Sequence, residues 1–313
     1  MSIDPTFFHG IYAATLTPFA ADGEIDETLL RAHFRQVMAV EGMRGVLCNG
    51  HAGENFLLSR PEMQRVTTLA RTELGPNGVV ASGVVAEATR DAVAIARDAE
   101  AAGADAVVVF PPFSWALSND IEMIVHHHRA VQEAVAIPLF LYMTSVKAGR
   151  MNYPPEVIEA LLEIPNVVGI KEGSWEVNAY ERTRVLVGAK APQVAVMASG
   201  DCGMYPSFLL GTAGSMVSLA TIAGREIVGL YRAVAAGDHA TAQALHQRLQ
   251  PLAIAVYEKT PTAYATARLK IAMQLLGYWP QAATRQPIGP LPASEVDAMR
   301  RALEAAGLME QAL

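Results

Sequence analysis

Residues 167–187 read VVGIKEGSWEVNAYERTRVLV, a short apolar run followed by a longer helical pattern. The run 167–173 is rich in β-branched residues, too short for a helix and punctuated by glycine, so it reads as a strand. A strand with scarcely any polar face is one covered on both sides, as in a parallel sheet wrapped by helices. The same unit recurs outward in both directions. Upstream, strand runs at 11–17, 45–50, 79–85, 106–112 and 137–143 precede helical patterns at 26–40, 60–74, 89–102, 119–135 and 154–162. Downstream, runs at 193–200 and 214–219 precede helices at 205–210 and 225–236. Leu29, Leu30, His33, Phe34, Val37 and Met38 mark one helical face; Asp26 reads as an N-cap, Pro61 as a first-turn proline and Gly103 as a stop. Eight units of about 28 residues each predict an α/β protein of the closed (β/α)8 (TIM) barrel type. An open doubly wound sheet competes, but six strands are more usual there and no GxGxxG follows the first run. Residues 1–236 are thus expected to form the barrel. Residues 237–313 are expected to add helices near 238–258, 261–276 and 293–308, packed on it as a C-terminal extension.

Composition sets the class. The chain has 313 residues, 51% of them hydrophobic, and a formal net charge of −7 from 24 basic and 31 acidic side chains. Without a basic cluster, a nucleic-acid or anionic-membrane partner is not expected, and a small molecule is. Gly, Pro or charged residues interrupt every apolar run before about 18 residues, so no membrane span is expected. The first ten residues, MSIDPTFFHG, lack an export-signal pattern, which makes the cytoplasm the expected location. Cys48 and Cys202 are too few for a disulfide framework. Only five lysines occur: Lys147, Lys171, Lys190, Lys259 and Lys270.

In such barrels the chemistry sits where strands end. Alternation places Gly169, Lys171 and Gly173 on one face of their strand and Val168, Ile170 and Glu172 on the other. If Lys171 faces inward, loss of water lowers its pKa and makes it a nucleophile toward ketones, with the flanking glycines leaving room for a ligand. The competing reading is a lysine that closes a strand and reaches solvent or a carboxylate. Tyr142, one strand earlier, is either a proton relay or a core tyrosine. Gly50–His51–Ala52–Gly53–Glu54 is a turn whose amides suit a small anion.

Together these residues resemble the dihydrodipicolinate synthase / N-acetylneuraminate lyase family. The resemblance rests on G-x-x-G-E (50–54), the strand ending in Tyr142, V-G-I-K-E (168–172), Thr15–Leu16–Thr17–Pro18–Phe19, Ala102–Gly103–Ala104–Asp105 and Gly211–Thr212–Ala213–Gly214. It covers about residues 8–305. It implies a (β/α)8 barrel, class I chemistry on pyruvate or another 2-oxo acid, no cofactor or metal, and a homo-oligomer, tetramer or dimer. By position, Lys171 is then the imine-forming lysine and Tyr142 the proton relay, while the amides of His51 and Ala52 hold the substrate carboxylate. Gly50, Phe113, Lys147, Ser215 and Met216 complete the expected substrate contacts. The chain also departs from the family. G-H-A-G-E replaces G-T-T-G-E, Phe113 stands where the synthase has its second relay tyrosine, and Lys147 falls near its carboxylate-binding arginine. A divergent member acting on another substrate is expected, with His51 as a candidate replacement for the lost hydroxyls.

The leading expectation is a lyase that cleaves or condenses a hydroxylated 2-oxo acid. A dehydratase of a 2-oxo-3-deoxy sugar acid would use the same imine. A metal-dependent aldolase would have to draw on His51, Glu54 and Asp201, and a non-catalytic 2-oxo acid-binding paralogue is a third class. His126–His127–His128 are expected on a solvated helix face. Ser199–Gly200–Asp201–Cys202 and Gly211–Gly214 are expected to supply tight turns and close substrate-side packing rather than a phosphate grip. Trp115 and Phe113 either wall the pocket or cap the barrel.

Overall fold

The computed structural model describes residues 4 and 6–309; residues 1–3 and 5 of the N-terminal run, and 310–313, lie outside the described residues. Eight parallel strands close in sequence order: β1 Gly10–Ala14, β2 Met43–Cys48, β3 Val79–Val84, β4 Ala106–Val109, β5 Leu139–Met143, β6 Val167–Glu172, β7 Ala195–Ala198 and β8 Gly214–Val217, with β8 pairing back onto β1. The helices between and after them are α1 Glu27–Met38, α2 Arg60–Leu74, α3 Thr89–Ala101, α4 Ile121–Glu133, α5 Pro155–Leu162, α6 Val177–Lys190, α7 Met204–Leu210 and α8 Gly224–Ala235. The predicted barrel is the observed one. Local signals explain its boundaries. Asp26 accepts the Leu29 amide at 2.9 Å to start α1, and Glu62 accepts the Ser59 amide at 2.7 Å to start α2.

The lower half of the cylinder is filled with protein. Phe140 of β5 is fully buried, its ring stands over Gly169 of β6, and Phe8 closes it edge-on at 5.2 Å. A Cβ on Gly169 would lie 2.1 Å from the Phe140 ring, and one on Gly173 would lie 2.7 Å from the Met143 carbonyl. The glycines flanking Lys171 therefore make room for neighbouring protein rather than for a ligand. Cavity space begins only above them, at the C-terminal ends of the strands.

Two helical expectations change. His127 and His128 are buried and only His126 is exposed, because α4 is covered on both flanks. His127 Nδ1 meets Thr89 Oγ1 at 3.0 Å, and His128 Nδ1 donates to the Ile124 carbonyl at 2.8 Å with its ring edge-on to Tyr153. The expected helix 238–258 ends early: α9 spans His239–Ala253 with Pro251 inside it, and Ile254–Glu258 widens into a π-type turn. Proline removes one donor from the helical ladder and crowds the preceding turn, a usual cause of such a break. The helices α10 Ala265–Leu275 and α11 Ala293–Ala305 complete the extension. Arg285 beyond α10 donates to the carbonyls of Gly23 and Leu57, tying the extension to the barrel. Among the described residues no helix is long and apolar enough to cross a membrane.

Candidate active site

A cavity of about 950 Å³ opens at the C-terminal end of the barrel, and Lys171 lines it. β6 register places Lys171 level with Tyr142 on one side and Met197 on the other. Its side chain is inward and only 9% exposed, which settles the competing snorkelling reading against solvent. Nζ donates to Ser199 Oγ at 3.2 Å and lies 4.6 Å from the centre of the Tyr142 ring. Burial lowers the ammonium pKa from its usual range, and the charges of Asp201 and Glu172 pull the other way. Glu172 faces outward as alternation requires, accepting from the Ser174 hydroxyl at 3.0 Å. The result is an amine that yields its proton more readily than a surface lysine while remaining within reach of a bound ketone.

One side of the cavity is aromatic. Tyr142 packs on Phe110 at 4.4 Å and on His51 at 5.5 Å, and His51 in turn stacks on Phe113 at 5.8 Å. Burial holds the Tyr142 phenol well above its ordinary pKa, so it stays protonated at neutral pH. Burial, helped by the Lys171 charge, lowers His51 to about 4, which makes it a neutral imidazole able to donate or accept a hydrogen bond but a weak base. His51–Gly53 forms one 3-10 turn between Asn49 and Glu54, both at positive φ (53° and 57°). Among the described residues the amides of His51 and Ala52 meet no protein acceptor, as expected for the first donors of a helical turn. Thr17 Oγ1 holds this loop from behind, donating to the Gly53 carbonyl at 2.8 Å. Glu54 turns away from the cavity into a buried ion pair with Lys270 of α10.

On the opposite side the sequence reading named the 199–202 turn, but neither Tyr257 nor the place of Asp201 in the same cavity as Lys171. Asp201, on the turn after β7, is 5% exposed and accepts the Leu219 amide at 2.8 Å and the Tyr257 hydroxyl at 3.0 Å. Tyr257 comes from the widened turn after α9 and also meets Ser218 Oγ at 2.6 Å. Burial raises the Asp201 carboxyl above the usual range, opposed by these hydrogen bonds and by Lys171. The Ser–Gly–Asp turn signalled substrate-side packing but no partner for Asp201, and nothing near Tyr257 distinguishes it from other helical tyrosines. The extension also supplies Glu258, Thr260, Thr262, Thr266 and Leu269 to the cavity wall, so it is part of the site and not merely attached to the barrel.

Of the remaining expected contacts, Gly50, His51, Ala52, Lys147 and Met216 line the cavity. Ser215 does not. It is fully buried with its hydroxyl on the Ala198 carbonyl at 2.7 Å, because Met216 takes the inward position and strand alternation turns its neighbour outward. Phe113 stands behind His51, 42% exposed, and is not part of the cavity lining; its place in the site is through the His51 ring. Trp115 is buried against His127 at 5.3 Å and caps the outside of the barrel there.

The sequence pattern of the Dihydrodipicolinate synthetase family matches residues 7–306. The chain belongs to this family. A 4-hydroxy-tetrahydrodipicolinate synthase of Acidiphilium cryptum is 32% identical over 311 residues, covering 96% of this chain and 99% of that one. An uncharacterised DapA-like lyase of Halobacterium salinarum is 35% identical over 241 residues, 77% of each chain. Among solved structures, a dihydrodipicolinate synthase from Acinetobacter baumannii complexed with pyruvate superposes with a TM-score of 0.85 at 25% identity, covering 96% of this chain and 99% of that one. Dihydrodipicolinate synthetase family members thus include both synthases and lyases, and at these identities this one is a divergent member.

Proposed function

We propose that this chain is a class I lyase that joins Lys171 to pyruvate or another 2-oxo acid as a Schiff base and uses the imine to cleave or form a carbon–carbon bond. The observation that carries this reading is the Lys171 amine: inward, 9% exposed, and hydrogen-bonded to a neutral hydroxyl at 3.2 Å. Family membership and a pyruvate-bound relative support the substrate class.

The amine attacks the keto carbon, the carbinolamine loses water, and a protonated imine remains that withdraws electrons from the adjacent carbons. In the cleavage direction the hydroxyl on C4 loses its proton, the C3–C4 bond breaks to release an aldehyde, and its electrons form an enamine. Net, one proton moves from the C4 oxygen to C3, and the Tyr142 hydroxyl is placed to hand it across. Hydrolysis of the resulting imine returns the lysine. The free amides of His51 and Ala52 hold the carboxylate, and the neutral His51 imidazole hydrogen-bonds a substrate oxygen where the family's threonine hydroxyl is missing. Lys147 at the cavity mouth favours an acidic group at the far end of the substrate, as a point charge rather than a bidentate clamp. Phe56 and Phe113, in contact at 6.3 Å and 49% and 42% exposed, support self-association as part of the same reading, in the cytoplasm.

Borohydride reduction in the presence of pyruvate, followed by peptide mass mapping, tests it. A reduced adduct on Lys171, absent from Lys171→Ala, is the expected result. No adduct, or one on another lysine, refutes it. Turnover in a panel of hydroxylated 2-oxo acids then separates a lyase from a protein that only binds them.

A further inference from the structure

Resting on the imine reading, we propose that Asp201, oriented by the Tyr257 hydroxyl from the C-terminal extension, is the proton-transfer group for making and hydrolysing the Lys171 imine, leaving Tyr142 to the bond-breaking step. Three observations carry this division. First, among the described residues the Tyr142 hydroxyl has no hydrogen-bond partner, and its ring packs on those of His51 and Phe110 with Lys171 Nζ 4.6 Å from its centre. With His51 and Ala52 in place of two hydroxyl residues and Phe113 lacking one, no chain of hydroxyls leads away from that phenol. Second, the opposite side of the cavity carries polar groups, in two hydrogen-bonded sets. Ser199 Oγ is 3.2 Å from Nζ, Asp201 holds the Tyr257 hydroxyl at 3.0 Å, that hydroxyl meets Ser218 Oγ at 2.6 Å, and all five side chains line the one cavity. Third, the carboxylate is held in place. The Leu219 amide and the Tyr257 hydroxyl both bind Oδ1, and Arg268, itself fully buried, clamps the turn that bears Tyr257 by donating to the carbonyls of Val256 at 3.1 Å and Lys259 at 2.7 Å.

The proton balance closes without a further reactant. One proton passes from the Lys171 ammonium, relayed by water in the cavity, to the Asp201 carboxylate, leaving a neutral amine and a carboxylic acid. The amine adds to the keto carbon, and one N–H proton passes to the former carbonyl oxygen. Asp201 then returns its proton to that hydroxyl, the C–O bond breaks, water leaves, and the nitrogen lone pair completes the C=N bond. The groups facing Asp201 are Lys171 from β6, Tyr142 from β5, Cys202 on its own turn, and Tyr257 and Glu258 from the extension. Burial moves the carboxyl up and the ammonium down, which brings the two proton affinities toward each other, the condition for easy transfer.

The test is rapid-quench trapping of pyruvate by borohydride across pH, read as the rate of adduct formation on Lys171 in the intact protein. Asp201→Asn is expected to slow adduct formation on the order of 100-fold and to remove the carboxylate's part of the acid limb, leaving only the rise set by the Lys171 amine. Tyr257→Phe deletes a hydrogen bond that stabilises and orients the carboxylate, so its acid limb should move to higher pH. A tie that merely braces the loop would move neither limb. Asp201→Asn trapping pyruvate at the wild-type rate overturns the proposal. If that variant fails to fold, an unshifted acid limb in Tyr257→Phe overturns it equally. Wild-type protein that forms no adduct refutes the imine reading itself, a result distinct from either.

Discussion

Replacing Lys270 with methionine should both destabilise the protein and loosen the loop that holds the substrate carboxylate. Lys270 is 0% exposed and Glu54 2% exposed, and each is the other's ion-pair partner. Lys270 Nζ also donates to the Ala283 carbonyl at 3.0 Å and lies 4.2 Å from the Phe19 ring centre. Burial pulls both groups toward their neutral forms, and their mutual charge opposes it. Methionine fills the same space but leaves the Glu54 carboxylate buried without a partner, which costs about 3–5 kcal/mol. At about 2.1 cal/mol/K per residue over this chain length, that loss lowers the melting temperature by about 5–8 °C. Adding Glu54→Gln removes the stranded charge and should recover at least about half of the loss. Glu54 ends the 51–53 turn at positive φ, so freeing it also displaces the His51 and Ala52 amides. KM for the 2-oxo acid should then rise on the order of 10-fold. Thermal melts of the two variants, and initial rates at varied 2-oxo acid, give both readouts. A Lys270→Met protein melting within about 1 °C of wild type, or a double variant no more stable than the single one, would refute the reasoning.

Four further outcomes follow from the geometry. Because the Lys171 ammonium is lowered by burial, the fraction of reactive amine should grow with pH and level off below the ordinary lysine range; trapping rates still climbing at pH 10 would contradict that. His51→Ala should leave borohydride trapping of pyruvate near wild type while lowering turnover by about 10-fold or more, since it removes the imidazole but keeps the loop amide and the Lys171 amine; equal loss of both would reject the role. Gly173→Ala forces a Cβ to 2.7 Å from the Met143 carbonyl and 3.0 Å from Ser199 Oγ, so it should cost about 1–3 kcal/mol in a urea melt and slow imine formation by moving the lysine's hydroxyl partner. His127 and His128 are lowered by burial to about 4 and about 3, so the unfolded chain binds more protons than the folded one below the ordinary value of 6.5. Their contribution is therefore intact above that pH and lost as pH falls, by about 2 kcal/mol for each at pH 5, and His128→Gln should flatten the acid slope of the urea midpoint.

Legibility divides along physical lines. The strands could be read because a parallel strand covered on both faces must be apolar along its whole length, and the runs at 106–109 and 139–143 are. The two-residue period of its strand set Lys171 on one face with Gly169 and Gly173, the structure shows that face to be the inner one, and the same rule, applied to the end of β8, admits Met216 and excludes Ser215. The buried histidines on α4 escaped because a helical wheel shows angles, and what covers each angle is set by α3 and by the turns near Trp115 and Tyr153. Asp201 escaped for a related reason: its partner Tyr257 lies 56 positions away in sequence, on a turn that exists only because α9 breaks.

The sequence by itself determined the element order, the barrel and the strand end that carries the lysine, since these depend on local periodicity and on the burial that each period implies. Closure of the barrel and docking of the C-terminal helices decided the rest: which carboxylate faces the amine, which loop amides stay free, and which charge pair anchors them. Those depend on distances between residues remote in the chain, and a distance of that kind is a property of packing, which no local pattern encodes.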